Sequence, residues 1–325
     1  METTESGFRG AGKPHGAENL AAMHIRASAV PAFVFLIAGF MLMSAQSFGA
    51  TVPSRAAAVE ALARRYYNFT WNASPVSTTD NGLHTADDRL ADFSPAADRA
   101  YGAGLRAFRD ELAALAPGGS TVHDRVNYLL VRANLEGDYW QRAYLRPLQR
   151  NPTVYEEECT NGIFALLKKP FASNAVRARD ATSRLRQCPR VLAQGEANLT
   201  EPVREFGQVA SEELAGADPL FTQSLEDLTP GISDAQKAQL HAARDQALVA
   251  LHNYKRWVDA HLTSWQSGGF AVGKRQYDWM LRRVLLLPWD SDRLAQMAQF
   301  ELARDRALAI WERDHQAYSS VSVHH

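Results

Sequence analysis

Ser233-Asp234-Ala235-Gln236 opens the stretch that decides the fold, and no breaker follows before Trp265. A Ser with a Gln three residues on is a capping box, in which each side chain satisfies a backbone N–H of the first helical turn. Behind it come Leu240, Ala243, Ala247, Leu248, Leu251, Tyr254, Val258 and Leu262. Steps of three and four place these on one side of a helix. Gly268-Gly269 ends it, and this reads as the longest helix of the chain. The same grammar extends outward. Toward the C-terminus, Tyr277 to Leu287 is short and apolar on one face, and Asp290-Ser291 caps a final helix from Asp292 to about His315. Toward the N-terminus, Thr121 to Asp124 forms a second capping box, followed by Val126, Leu129, Leu130, Ala133 and Leu135. Ser94-Pro95 is a cap before a proline at the first helical position. Leu105, Phe108, Leu112 and Leu115 follow at helical spacing, and Pro117-Gly118-Gly119 stops them. Thr153 to Lys168 and Ser173 to Gln187 read as two further helices, with Pro189 starting another. Arg55 to Tyr67 is Ala-rich, while Asn68 to Leu90 is rich in turn formers. No alternating run is long enough for a strand except Gly269 to Val272, a candidate short edge strand. The expected fold class is all-α, a multi-helix array.

Composition narrows the function. The chain has 35 Lys+Arg against 36 Asp+Glu, a net charge of −1. A nucleic-acid binder needs a basic field to displace phosphate counterions, so no nucleic-acid partner is expected. Hydrophobic residues at 46% supply enough apolar surface for a packed core, which excludes general disorder.

The first fifty residues read as an address. From Ala27 to Ser54 there are 28 residues without a charge, and Val30 to Met43 is strongly apolar. Arg26 precedes this run, and the small residues Ala45, Ser47, Gly49 and Ala50 follow it. A positive flank, a short apolar core and a small-residue exit describe a secretory signal peptide. The alternative, a membrane anchor, needs roughly 20 apolar residues. The expected organisation is an N-terminal extension and signal peptide over 1–50, a helical domain over 51–318 and a frayed tail over 319–325. Met23 fits as the initiator. Secretion or a periplasmic location follows, with no membrane contact after cleavage.

Chemical motifs are mostly near misses. Gly268 to Lys274 fits the first seven positions of a phosphate-binding loop, but Arg275 stands where Ser or Thr must bind magnesium. The ten His include no pair spaced by four, so a His-Glu-x-x-His zinc helix is absent from this sequence. His241 and His252 lie about 16 Å apart along one helix, too far for one ion. No Gly-x-Ser-x-Gly elbow marks a hydrolase serine. In an oxidising compartment Cys159 and Cys188 are a disulfide candidate, against the alternative of two separate buried cysteines. Glu156-Glu157-Glu158 reads as a solvated first helical turn, where negative charge suits the dipole. Tyr66, Tyr67, Phe69 and Trp71 read as core.

Several ordered blocks carry a resemblance. They are Asp80-Asn81-Gly82-Leu83-His84, Asp124 to Leu130, Asn151 to Tyr155, Cys188 to Leu192, Ala197 to Pro202, and Val272-Gly273-Lys274-Arg275-Gln276-Tyr277-Asp278-Trp279, leading to Glu301-Leu302-Ala303-Arg304. This order resembles the bacterial domain of unknown function family 885. That family is similar to helical zinc peptidases with a deep internal cleft, which implies a secreted peptidase-like hydrolase with a peptide substrate. Its zinc ligands lie in a C-terminal half that no position here matches. The resemblance therefore implies zinc for the complete domain only. It assigns no catalytic residue, metal ligand or cofactor to this chain, and it makes the missing half a partner. It places Gly273, Lys274, Tyr277 and Trp279 as cleft-lining candidates. The expected role is the scaffold half of the hydrolase; a stand-alone periplasmic helical binding protein is the alternative.

Overall fold

The structure, a computed structural model, describes residues 54–115 and 121–321. The expected signal peptide, Pro117 to Gly119 and the His324-His325 pair lie outside these residues. Twelve α-helices follow one another among the described residues, and the one ladder-type pairing is an isolated bridge between Val203 and Gln266. The edge strand expected at Gly269 to Val272 is not formed.

α1 (Arg55–Ala73), α3 (Pro95–Ala114) and α4 (Val122–Trp140) enclose one core of Val59, Leu62, Tyr66, Leu105, Leu112, Tyr128, Val131 and Leu135. A larger core lies between α6 (Thr153–Leu167), α7 (Asn174–Asn198), α8 (Arg204–Ala215) and α10 (Asp234–His261), where Tyr155, Ile163, Leu185, Leu251, Tyr254 and Val258 are buried. Short helices α2 (Pro75–Asp80), α5 (Pro147–Arg150) and α9 (Asp218–Thr222) close the corners. α11 (Lys274–Arg283) packs on α4 and leads into α12 (Ser291–Val321).

The caps form where the sequence places them. Ser94, Ser173 and Ser233 accept from the backbone N–H of Ala97, Val176 and Gln236, and both capping boxes close. Elsewhere tertiary packing overrides local signals. α1 continues through Asn68 to Ala73, into the stretch read as turns. There Tyr67 stacks on Trp71 one turn later, and Phe69 stacks on Tyr101 of α3 at 4.8 Å between centroids. Pro189 does not start a helix but lies inside α7. Its ring sits on the exposed side, while it has no N–H to give the carbonyl of buried Leu185 one turn earlier. The longest helix is α12 with 31 residues, not α10 with 28. α12 also runs to Val321, past the expected start of the tail.

The acidic run of α6 is not a solvated turn. Glu156 is buried, and Glu158 is part-buried, accepting from the Ala91 N–H at 2.7 Å. Burial pushes the Glu158 carboxyl up to about 7. α6 packs on both α7 and α8, which carries Glu156 into the interior, while Asn161 and Phe164 keep a side of the helix exposed. Among the described residues no helix is long and apolar enough to cross a membrane.

Candidate functional site

α4 does not end in a cap but passes into a π-helical segment, Gln141–Leu145. Arg146 then takes a left-handed conformation with φ 52°, directly before Pro147. The proline disfavours the right-handed α region for the residue ahead of it, so the helical run stops at Arg146. π-helical turns are rare and recur at functional sites. This one turns Tyr139 and Tyr144 toward α11 and leaves Asp138, Gln141 and Arg142 facing a cavity of about 640 Å³.

The cavity wall includes Asn72, Arg89, Phe93, Asp98, Tyr101, Leu148 and Gln149. Asp138 is its polar centre. The Tyr66 hydroxyl donates to Asp138 Oδ2 at 2.5 Å, and the Tyr101 hydroxyl donates to the same oxygen at 3.2 Å. Burial raises the Asp138 carboxyl above its usual range, and the two tyrosine hydrogen bonds oppose that rise. Burial and the nearby carboxylate push both tyrosine hydroxyls far up, so neither is a nucleophile at neutral pH. Beside them Arg142 grips Asp98 with two parallel hydrogen bonds, Nη2 to Oδ2 at 2.7 Å. The guanidinium lies so close over α3 that a Cβ on Gly102 would meet Arg142 Nε at 2.6 Å. Only glycine leaves room for it. The arrangement offers hydroxyl, carboxyl and amide groups beside apolar surface, which suits hydrogen bonding to a polar, largely uncharged ligand.

The cleft-lining candidates Gly273, Lys274, Tyr277 and Trp279 lie on and before α11, outside this cavity. Gly273 starts α11 with φ 79°, a conformation that other residues adopt only under strain. Lys274 acts as a clasp: its Nζ lies 2.7 Å from Asp278 Oδ2, 3.0 Å from Ser291 Oγ and 3.3 Å from Asp292 Oδ2. Asp278 Oδ1 accepts from the Ser291 N–H at 2.8 Å, fixing the start of α12. Its Lys274 partner holds the Asp278 carboxyl well below the usual range. Tyr277 is exposed, and Trp279 is half-buried against Tyr139 and Tyr144. Sequence reading missed Asp98, Asp138 and Arg142. Tyr66 and Asp138 are 72 positions apart, and no local pattern joins them.

The expected disulfide is not formed in the structure. Cys159 and Cys188 are free thiols, both fully buried where α6 meets α7, with Cys159 Sγ 3.9 Å from the Cys188 carbonyl. Burial and the adjoining Cys188 push the Cys159 thiol well up. Among the described residues, the one group of three or more His, Cys, Asp or Glu side chains close enough to share an ion is Glu156, Glu157 and Glu213. That donor set has no nitrogen or sulfur ligand and does not fit a catalytic zinc.

An all-α fold with an open pocket of mixed polar and apolar lining defines the class. The family model "Bacterial protein of unknown function (DUF885)" matches residues 75–310, and the chain belongs to that family. Among solved structures it is similar to a proposed lipoprotein of unknown function from Shewanella oneidensis. The two share 21% identity at a TM-score of 0.66, over 76% of this chain and 46% of that one. The chain thus spans about half the length of that structure, and the likeness is one of fold. No curated protein matches the sequence.

Proposed function

We propose that this chain is the scaffold half of a secreted, metallopeptidase-like hydrolase, walling one side of its cleft and not catalytic by itself. The observation that carries the reading is α12. It is almost wholly exposed, with Phe300 at 70% and Trp311 at 64% exposure, and the match covers only 46% of the longer structural neighbour. Apolar surface of that kind marks an interface rather than a finished exterior. The family's likeness to helical zinc peptidases supports the hydrolase class, and the apolar run before Ala45 supports export. No residue set described here supplies the reaction, so no catalytic step is assigned to it.

The test is to purify the chain, add zinc and assay a mixed peptide library. The expected result is no turnover that a chelator abolishes. Stoichiometric zinc with chelator-sensitive cleavage overturns the proposal. The cavity around Asp138 favours a second reading, a periplasmic helical binding protein. A stable monomer that binds a small polar ligand, and loses it on Arg142→Ala, supports that reading instead.

A further inference from the structure

α6 turns its first acidic residue inward. Glu156 is 2% exposed, and its Oε1 has no hydrogen-bond partner. The other oxygen, Oε2, receives a long 3.5 Å contact from the Thr160 hydroxyl of its own helix. Glu157 on α6 and Glu213 on α8 bring their carboxylates to the same place, one oxygen from each of the three lying within 4.8 Å of the others. The groups that bear on Glu156 are Glu213, Glu157 and Thr160, two acids and a hydroxyl. A buried carboxylate without a donor is costly, and two further acids beside it add repulsion that the interior screens poorly. A cation seated among the three would relieve both costs.

We propose that Glu156, Glu157 and Glu213 form a divalent-cation site of the calcium class that fastens α6 to α8. Calcium takes six to eight oxygen ligands in irregular geometry and accepts carboxylates and water together. Three carboxylates supply the protein share. Glu156 forms the buried floor, while half-buried Glu157 and exposed Glu213 leave a path for the ion and room for its waters. Zinc prefers nitrogen or sulfur donors, and magnesium demands near-octahedral geometry, so calcium is the better match. The site is built from α6 and α8 and shares no lining residue with the Asp138 cavity. It is independent of the hydrolase reading.

The experiment uses the full chain, stripped with a chelator and titrated with calcium chloride by calorimetry, with thermal melting followed in parallel. One calcium per chain and a saturable rise in melting temperature are expected. Glu213 is exposed, so Glu213→Gln keeps the fold and weakens calcium binding about tenfold or more. Glu156→Gln abolishes the calcium-dependent rise while melting no lower than the stripped wild type. Three results overturn the proposal: no calcium response in the wild type, calcium binding unchanged in Glu213→Gln, or zinc binding stoichiometrically where calcium does not.

Discussion

Asp138 shows what a single buried acid can report. Its folded pKa lies above the unfolded value of 3.8, with burial as the main cause. The native state therefore holds the proton more tightly than the unfolded chain does. The stability this contributes is complete below the unfolded pKa and is lost as pH rises through the folded one. In urea denaturation between about pH 4 and 8, Asp138→Asn should flatten the fall in stability relative to wild type. Identical slopes would show that Asp138 titrates as an ordinary surface acid. The cysteines give a second residue-scale expectation. They are 29 positions apart and adjoin as free thiols, in a chain whose leader reads as secretory. Export to an oxidising compartment should close them, contributing roughly 3–4 kcal/mol in the chain-entropy model. Thiol titration of the exported, denatured, non-reduced protein should find none; two thiols would mean the pair stays open. Sequence placed Tyr66 in the core correctly, yet its partner is set by how α1 crosses α4, which no local pattern encodes.

Among the elements, caps were the most legible feature because a cap is a local bargain between a side chain and the next three N–H groups. Thr121, Ser94, Ser173 and Ser233 all start helices as read. Helix interiors were less legible where distant packing outweighs a local breaker. α7 carries Pro189 because the residues on either side, Leu185, Cys188, Val191 and Leu192, are buried against α6 and α10. An interior proline costs a helix roughly 3 kcal/mol, and Pro189 is exposed, so little packing is lost on replacing it. Pro189→Ala should raise stability by about 1–3 kcal/mol in chemical denaturation, without moving the cavity. A neutral or destabilising result would show that the proline sets a bend the α7–α10 contact requires.

For the whole molecule, α12 is the telling part. Phe300 and Leu302, like Leu308 and Ile310, are two positions apart, and about 100° per residue sends each pair to opposite sides. Charged residues such as Glu301, Arg304 and Asp305 lie among them, so α12 has no single apolar face and its apolar side chains stand in solvent on more than one side. The purified chain should therefore bind a hydrophobic dye and self-associate, read by fluorescence and light scattering. Phe300→Glu with Trp311→Glu should reduce both while leaving the melting temperature nearly unchanged, because these side chains are already in water. Unchanged dye binding in that variant would place the sticky surface elsewhere.

The sequence by itself determined the helical class, most helix starts and the family, because periodicity, caps and ordered motifs are written within a few turns of chain. Only the tertiary structure decided that Asp138 meets Tyr66 and Tyr101, that Arg142 lies over Gly102, and that Glu156 faces Glu213. It also decided that Lys274 and Trp279 pin α11 between α4 and α12. Those outcomes depend on how helices cross, and crossing is set by the fit of whole surfaces rather than by spacing along one of them.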